Sequence, residues 1–135
     1  MPIFYRKARP YQLTEDYVIQ TVIKPQHYIK TDYIELSPSG MLTIKANYTW
    51  DGPSGPAFDT KNFMRPSLVH DAFYQLMRAG LLSQAWREKA DELMYQLCRQ
   101  NGMWPPRAWW CYKGVREFAA YAAKRQAEYQ ISVAP

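Results

Sequence analysis

Apolar and polar positions follow two different periods along this chain, and the change falls near residue 48. Between residues 11 and 46 the apolar residues are mostly β-branched or aromatic. Tyr17-Val18-Ile19-Gln20-Thr21-Val22-Ile23 predicts one strand. Tyr33-Ile34-Glu35-Leu36 and Met41-Leu42-Thr43-Ile44 flank Ser37-Pro38-Ser39-Gly40 and predict a hairpin with Pro and Gly at its turn. From Tyr48 to Pro66 neither period holds. There, Gly52-Pro53-Ser54-Gly55-Pro56 lies between Asp51 and Asp59 and predicts a loop.

Beyond the loop the period is helical. Leu68, Val69, Ala72, Phe73, Leu76 and Met77 share one side of a helix running from Arg65 or Ser67 to Arg78, with Pro66 near its start and Gly80 just past its end. A second helix opens with Ser83 as N-cap, carries the stripe Trp86, Ala90, Leu93, Met94 and Leu97, and closes before Gly102. Pro105-Pro106 separates it from a third helix over residues 107–127. Strands followed by helices, rather than alternating with them, predict an α+β fold: a small N-terminal antiparallel sheet, then a three-helix half. The 135 residues contain no internal repeat and read as a single domain, residues 1–135, large enough for a core without crosslinks.

Composition narrows the class. Two cysteines, Cys98 and Cys111, make no disulfide framework and predict folding in a reducing compartment, with a single bridge between them left open. No stretch approaches the roughly 20 apolar residues of a membrane span. The N-terminal Met1-Pro2-Ile3-Phe4-Tyr5-Arg6 lacks the apolar core and cleavage site of a signal peptide, so none is expected. The net charge of +5 is uneven: residues 48–100 carry six basic and six acidic side chains, and residues 101–135 carry five and two, so part of the excess lies with the third helix. That favours anionic partners, whether nucleic acid, membrane surface or acidic protein.

On the first helix His70 lies at the edge of the apolar side, Asp71 is turned a further 100° or so, and Tyr74 sits one turn beyond His70. On the second, Asp91 lies beside the buried stripe. If the two helices pack as an antiparallel pair, Asp91 meets His70 and fixes its tautomer, leaving the other ring nitrogen as a base towards water. Asp71 would face the Trp50–Pro56 loop, and a carboxylate opposite a glycine-rich loop makes a hard-oxygen site suited to Ca²⁺. The residues alone leave alternatives open. His70 is structural in one, Asp91 is solvated beside Arg87 and Tyr95 or paired with a basic side chain in another, and the Gly-Pro loop is only a tight connection in a third.

Other chemistries fit worse. Two His and two Cys, with His27 in the strand region, do not supply a four-ligand zinc site or the extra ligands of a His-Asp phosphohydrolase. Neither a Gly-x-Ser-x-Gly elbow nor a Gly-x-x-x-x-Gly-Lys loop is present. On the third helix Trp109, Trp110 and Tyr112 interleave with Lys113 and Arg116, as suits a membrane interface or nucleic-acid backbone. In an ordinary amphipathic helix Trp109, Tyr112, Val115 or Arg116, Phe118 or Ala119, and Ala122 would instead pack inward.

Trp50-Asp51-Gly52-Pro53-Ser54-Gly55-Pro56, then Leu68-Val69-His70-Asp71-Ala72-Phe73-Tyr74, then Ala90-Asp91 is similar to phospholipase A₂ domains, most of all the disulfide-free form in parvovirus capsid proteins. That form has a Tyr-x-Gly-x-Gly calcium loop, then His-Asp-x-x-Tyr, then Ala-Asp on the next helix. Trp50 stands where the family has Tyr, and Ser54 where it has Gly. The resemblance covers about residues 48–95. It implies His70 as base, Asp91 as its partner, Tyr74 as a supporting hydroxyl and Asp71 as calcium ligand, with backbone carbonyls of Trp50, Gly52 and Ser54.

Nearly the whole chain also resembles a bacteriophage and prophage domain family without assigned activity, through the Trp-Asp-Gly-x-x-Gly-Pro loop, the His-Asp-x-x-Tyr helix and the later Ala-Asp. The two resemblances imply a phage-encoded, calcium-assisted ester hydrolase in the host cytoplasm or virion. Its partners would be a phospholipid surface or other phage proteins, with nucleic acid less favoured. The alternative is a virion, tail or host-interaction protein in which the His-Asp cluster is structural.

Overall fold

The computed structural model describes residues 3–6, 11–50 and 61–117. Among the described residues seven short strands come first: β1 (Tyr5–Arg6), β2 (Tyr11–Leu13), β3 (Tyr17–Gln20), β4 (Ile29–Lys30), β5 (Ile34–Leu36), β6 (Met41–Ile44) and β7 (Thr49–Trp50). Three helices follow, α1 (Lys61–Arg78), α2 (Arg87–Gln100) and α3 (residues 105–117). The architecture is the expected α+β arrangement, with the strands divided between two antiparallel sheets. One has the order β1-β2-β7 and the other β3-β6-β5-β4.

The hairpin forms as its alternation predicts. Ile34 pairs with Ile44 and Leu36 with Leu42, so all four side chains fall on one face and are buried. The first strand is shorter than the pattern of residues 17–23 suggests. It ends at Gln20, because the chain there closes over the hairpin tip: Gln20 Nε2 donates to the Ser39 carbonyl at 2.7 Å, and Thr21 donates to the Gly40 carbonyl from both its N–H and its hydroxyl, each at 2.8 Å. Gly40 (φ +91°) allows this approach, since a Cβ there would lie 2.2 Å from the Thr21 carbonyl oxygen.

The expected loop from Tyr48 to Pro66 is shorter than the sequence implies. Thr49–Trp50 pairs with β2, and α1 begins at Lys61, with Pro66 inside it. Pro66 forfeits the bond to the carbonyl four residues back, but the added turn buries Phe63 and Met64, at 5% and 3% exposure. Burying two such side chains is worth about 3–6 kcal/mol, more than one backbone bond. The helix closes at Gly80 (φ +76°), where Leu81 N–H reaches the Leu76 carbonyl at 3.0 Å. Ser83 caps a short 3₁₀ turn, Gln84–Trp86, and α2 follows directly.

α1 and α2 pack together beneath the sheets. Leu68, Ala72, Phe73 and Leu76 from α1 and Ala90, Leu93 and Leu97 from α2 join Leu13, Tyr17, Leu36, Leu42 and Ile44 in one core. α3 closes a second cluster, in which Ala108 and Cys111 meet Phe63, Met94, Cys98 and Met103. Cys98 and Cys111 are both buried free thiols. Of the third helix expected over residues 107–127, positions 118–127 lie outside the described residues.

Candidate functional site

α1 projects His70 and Tyr74 from successive turns towards α2, and their rings stack at 4.2 Å. Asp91 enters from α2 at a position with 0% exposure. His70 Nε2 lies 2.6 Å from Asp91 Oδ1, and the Tyr74 hydroxyl donates to the same oxygen at 2.6 Å. The other oxygen, Oδ2, accepts from the Arg116 guanidinium at 2.9 Å. A buried carboxylate of α2 is thus held by groups from the other two helices, α1 and α3.

Burial alone would push the Asp91 carboxyl up. Hydrogen bonds from His70 and Tyr74, the His70 charge and the Arg116 hydrogen bond outweigh it, and the group titrates below the ordinary carboxylate range. An ionised carboxylate only accepts, so when the His70 ring is neutral its proton sits on Nε2 and the Nδ1 lone pair is left over. Among the described residues Nδ1 has no hydrogen-bond partner, and 14% of the His70 side chain is exposed. Burial, followed by the bond to Asp91 and its negative charge, raises Tyr74 far above the normal phenol range and keeps it a donor.

Asp71, one residue on, faces a different neighbour, as helical geometry requires. The buried Tyr48, at the entrance to β7, donates its hydroxyl to Asp71 Oδ2, and Arg78 lies 4.0 Å from Oδ1. Burial and the nearby carboxylate push the Tyr48 phenol up as well. With 34% of its side chain exposed, Asp71 offers a hard oxygen donor of the kind calcium takes, and the Tyr48 oxygen lies beside it. Among the described residues no group of three or more His, Cys, Asp or Glu converges on a metal position. Gly52 and Ser54 lie outside the described residues. Trp50 is 3% exposed, and its indole N–H donates to Ser67 Oγ at 3.1 Å, so its side chain belongs to the core.

The surface of α3 follows the interleaved arrangement at Trp109, Trp110 and Lys113 and departs from it at Arg116. Trp109 and Trp110 point outward at 54% and 55% exposure, near Trp104 at 76%, and Lys113 Nζ stands 5.3 Å from the Trp109 ring centroid. The inward positions are Ala108 and Cys111, not Trp109. Arg116, expected on that same surface, turns instead to Asp91. A cavity of about 470 Å³ lies elsewhere, between β3 and the helices, lined by Thr21, Lys24, Arg65 and Gln96 but not by His70 or Asp91.

Arg116 and Tyr48 are the two members of this constellation that the sequence pattern did not assign to it. In the sequence Arg116 is only one of two choices, with Val115, for the inward side of the third helix, and Tyr48 only marks the start of the loop. No helix of the described residues is long and apolar enough to cross a membrane. No family model, curated protein or solved structure matches the chain.

Proposed function

We propose that the chain is a phage-encoded ester hydrolase working through a phospholipase A₂-like His-Asp pair, with calcium as its cofactor. One observation carries the reading: His70 Nε2 is engaged by a fully buried carboxylate at 2.6 Å, which leaves Nδ1 as the available base. In this reading Nδ1 takes a proton from water as the water oxygen attacks an ester carbonyl. Asp91 stabilises the imidazolium that forms, and the imidazolium returns the proton to the departing alkoxide. Tyr74 holds Asp91 Oδ1 in line with the ring. Calcium, held by Asp71 with the backbone carbonyls of Trp50, Gly52 and Ser54, would supply the electrostatic stabilisation of the developing oxyanion. A phospholipid surface is the proposed partner. The exposed Trp104, Trp109 and Trp110 beside Lys113 support it, since indoles and cations suit the headgroup layer.

A second reading has its own support. Asp91 at 0% exposure with both oxygens bonded is also what a purely structural tie between three helices requires, in a virion or host-interaction protein. One experiment separates them: fatty-acid release from anionic phospholipid vesicles with millimolar calcium, measured beside melting curves for wild type and His70→Gln. The hydrolase reading expects release by wild type only and similar melting. An inactive wild type together with a destabilised His70→Gln protein leaves the structural reading standing.

A further inference from the structure

Asp91 has two oxygens and a fixed demand on each. Oδ1 already serves His70 and Tyr74, so whatever holds Oδ2 decides whether the carboxylate can turn about its Cβ–Cγ bond. At 0% exposure water does not reach it, and the Arg116 guanidinium is the group that does, at 2.9 Å. Arg116 is itself 31% exposed. Among the described residues its other charged or titratable neighbours are Glu88 on α2 and Tyr112 on its own helix, while Arg87 at the start of α2 acts on Tyr74. The guanidinium bonds the buried carboxylate although part of it reaches solvent, and Glu88 acts on it only through its charge.

We infer that Arg116 is a positioning residue for the His70–Asp91 pair: by fixing Oδ2 from the third helix it keeps Oδ1 aimed at His70 Nε2, and so sets which ring nitrogen of His70 carries the proton. The inference deepens the proposed hydrolase, because the ring nitrogen it keeps free is the proposed base. Lysine at this position would keep the charge but lose the planar fork that makes a directed bond. Glutamine would lose the charge and leave Oδ2 with a weak neutral donor at most.

The experiment is imidazole ¹⁵N NMR of the whole chain at alkaline pH, with His27, exposed and remote on the β3–β4 connection, as internal reference. Wild type should show His70 as a single tautomer protonated on Nε2, with a slowly exchanging N–H. In Arg116→Gln that proton should exchange about tenfold faster, the factor one ordinary hydrogen bond carries, and the second tautomer should appear. Arg116→Lys should fall between the two, and it folds if charge at this position is what the fold needs. His27 should be unchanged throughout.

A His70 tautomer and exchange rate identical to wild type in both variants, with the proteins folded by circular dichroism, overturns the inference. So does an Arg116→Lys protein that melts lower but keeps the wild-type His70 spectrum, since that marks a merely structural bond. The readout needs no activity. Vesicle hydrolysis absent from wild type would overturn the proposed hydrolase and leave the role of Arg116 to be decided by the spectra.

Discussion

Replacing Asp91 by Asn removes one charge while keeping the shape, and the structure says what that should cost. If the amide oxygen takes the place of Oδ1, His70 and Tyr74 keep their acceptor, but the NH₂ group then faces the Arg116 guanidinium, donor against donor. If the amide is flipped, Arg116 keeps a neutral acceptor and the Tyr74 hydroxyl loses its own. Breaking one side of a buried ion pair costs about 3–5 kcal/mol. Arg116 is 31% exposed and can turn part of its charge to water, which brings the expectation down to about 2–4 kcal/mol. For a domain of this size that is a melting-point drop of roughly 8–16 °C at neutral pH. Calorimetry on both proteins measures it, with urea titrations to check that the slope m is unchanged.

The pH dependence gives an independent check. Folded Asp91 binds its proton more weakly than the unfolded residue, so the unfolded state carries more protons as pH falls through the carboxylate range. The contribution of Asp91 is therefore complete above its unfolded pKa of about 3.9 and is lost below it as pH falls through the lower folded value. The wild-type advantage over Asp91→Asn should shrink with acidity in that window. A difference under about 1 kcal/mol at neutral pH, or one independent of pH down to acid unfolding, would show that the three bonds to Asp91 are not what holds the helices together.

Calcium at about 100 times its dissociation constant should stabilise wild type by roughly 2.7 kcal/mol, and Asp71→Asn, which still accepts from Tyr48, should lose most of that shift in a thermal melt. An equal response in the two proteins removes Asp71 as a ligand. Gly40→Ala should lower stability by about 2 kcal/mol or more in urea denaturation, because its Cβ meets the Thr21 carbonyl at 2.2 Å and its φ is +91°. A neutral Ala would mean that the β3 end and the hairpin tip are not locked together. Burial pushes the Cys98 thiol up to about 12 and raises Cys111 as well, so native protein at mildly alkaline pH should resist iodoacetamide, and both thiols should alkylate once denatured. Rapid labelling of native protein, read by mass spectrometry, would show that α3 opens from Met94 and Met103.

The parts of this molecule that were legible along the chain are those in which local spacing and burial agree. Ile34, Leu36, Leu42 and Ile44 alternate, and they bury as they alternate. His70 and Asp91 each sit beside an apolar stripe, so two helices packing on those stripes bring them together. Thr49–Trp50 is too short a strand to show a period, and it forms because β2 lies beside it. The start of α1 was hidden by Pro66, whose local penalty is outweighed by the burial of Phe63 and Met64.

Arg116 looked like part of a basic aromatic surface because Trp109, Trp110 and Lys113 interleave with it along the chain, although helical spacing also offered it an inward place. Its true neighbour lies 25 residues away, and only the crossing of α3 over α2 puts it there. Tyr48 reaches Asp71 across 23 residues for a similar reason. A pattern of apolar residues can thus place the carboxylates of the candidate site, since each rides on a stripe. The donors that complete them ride on no stripe of their own. They are chosen by the unmet demand of a buried or half-buried carboxylate, which exists only once the helices have met.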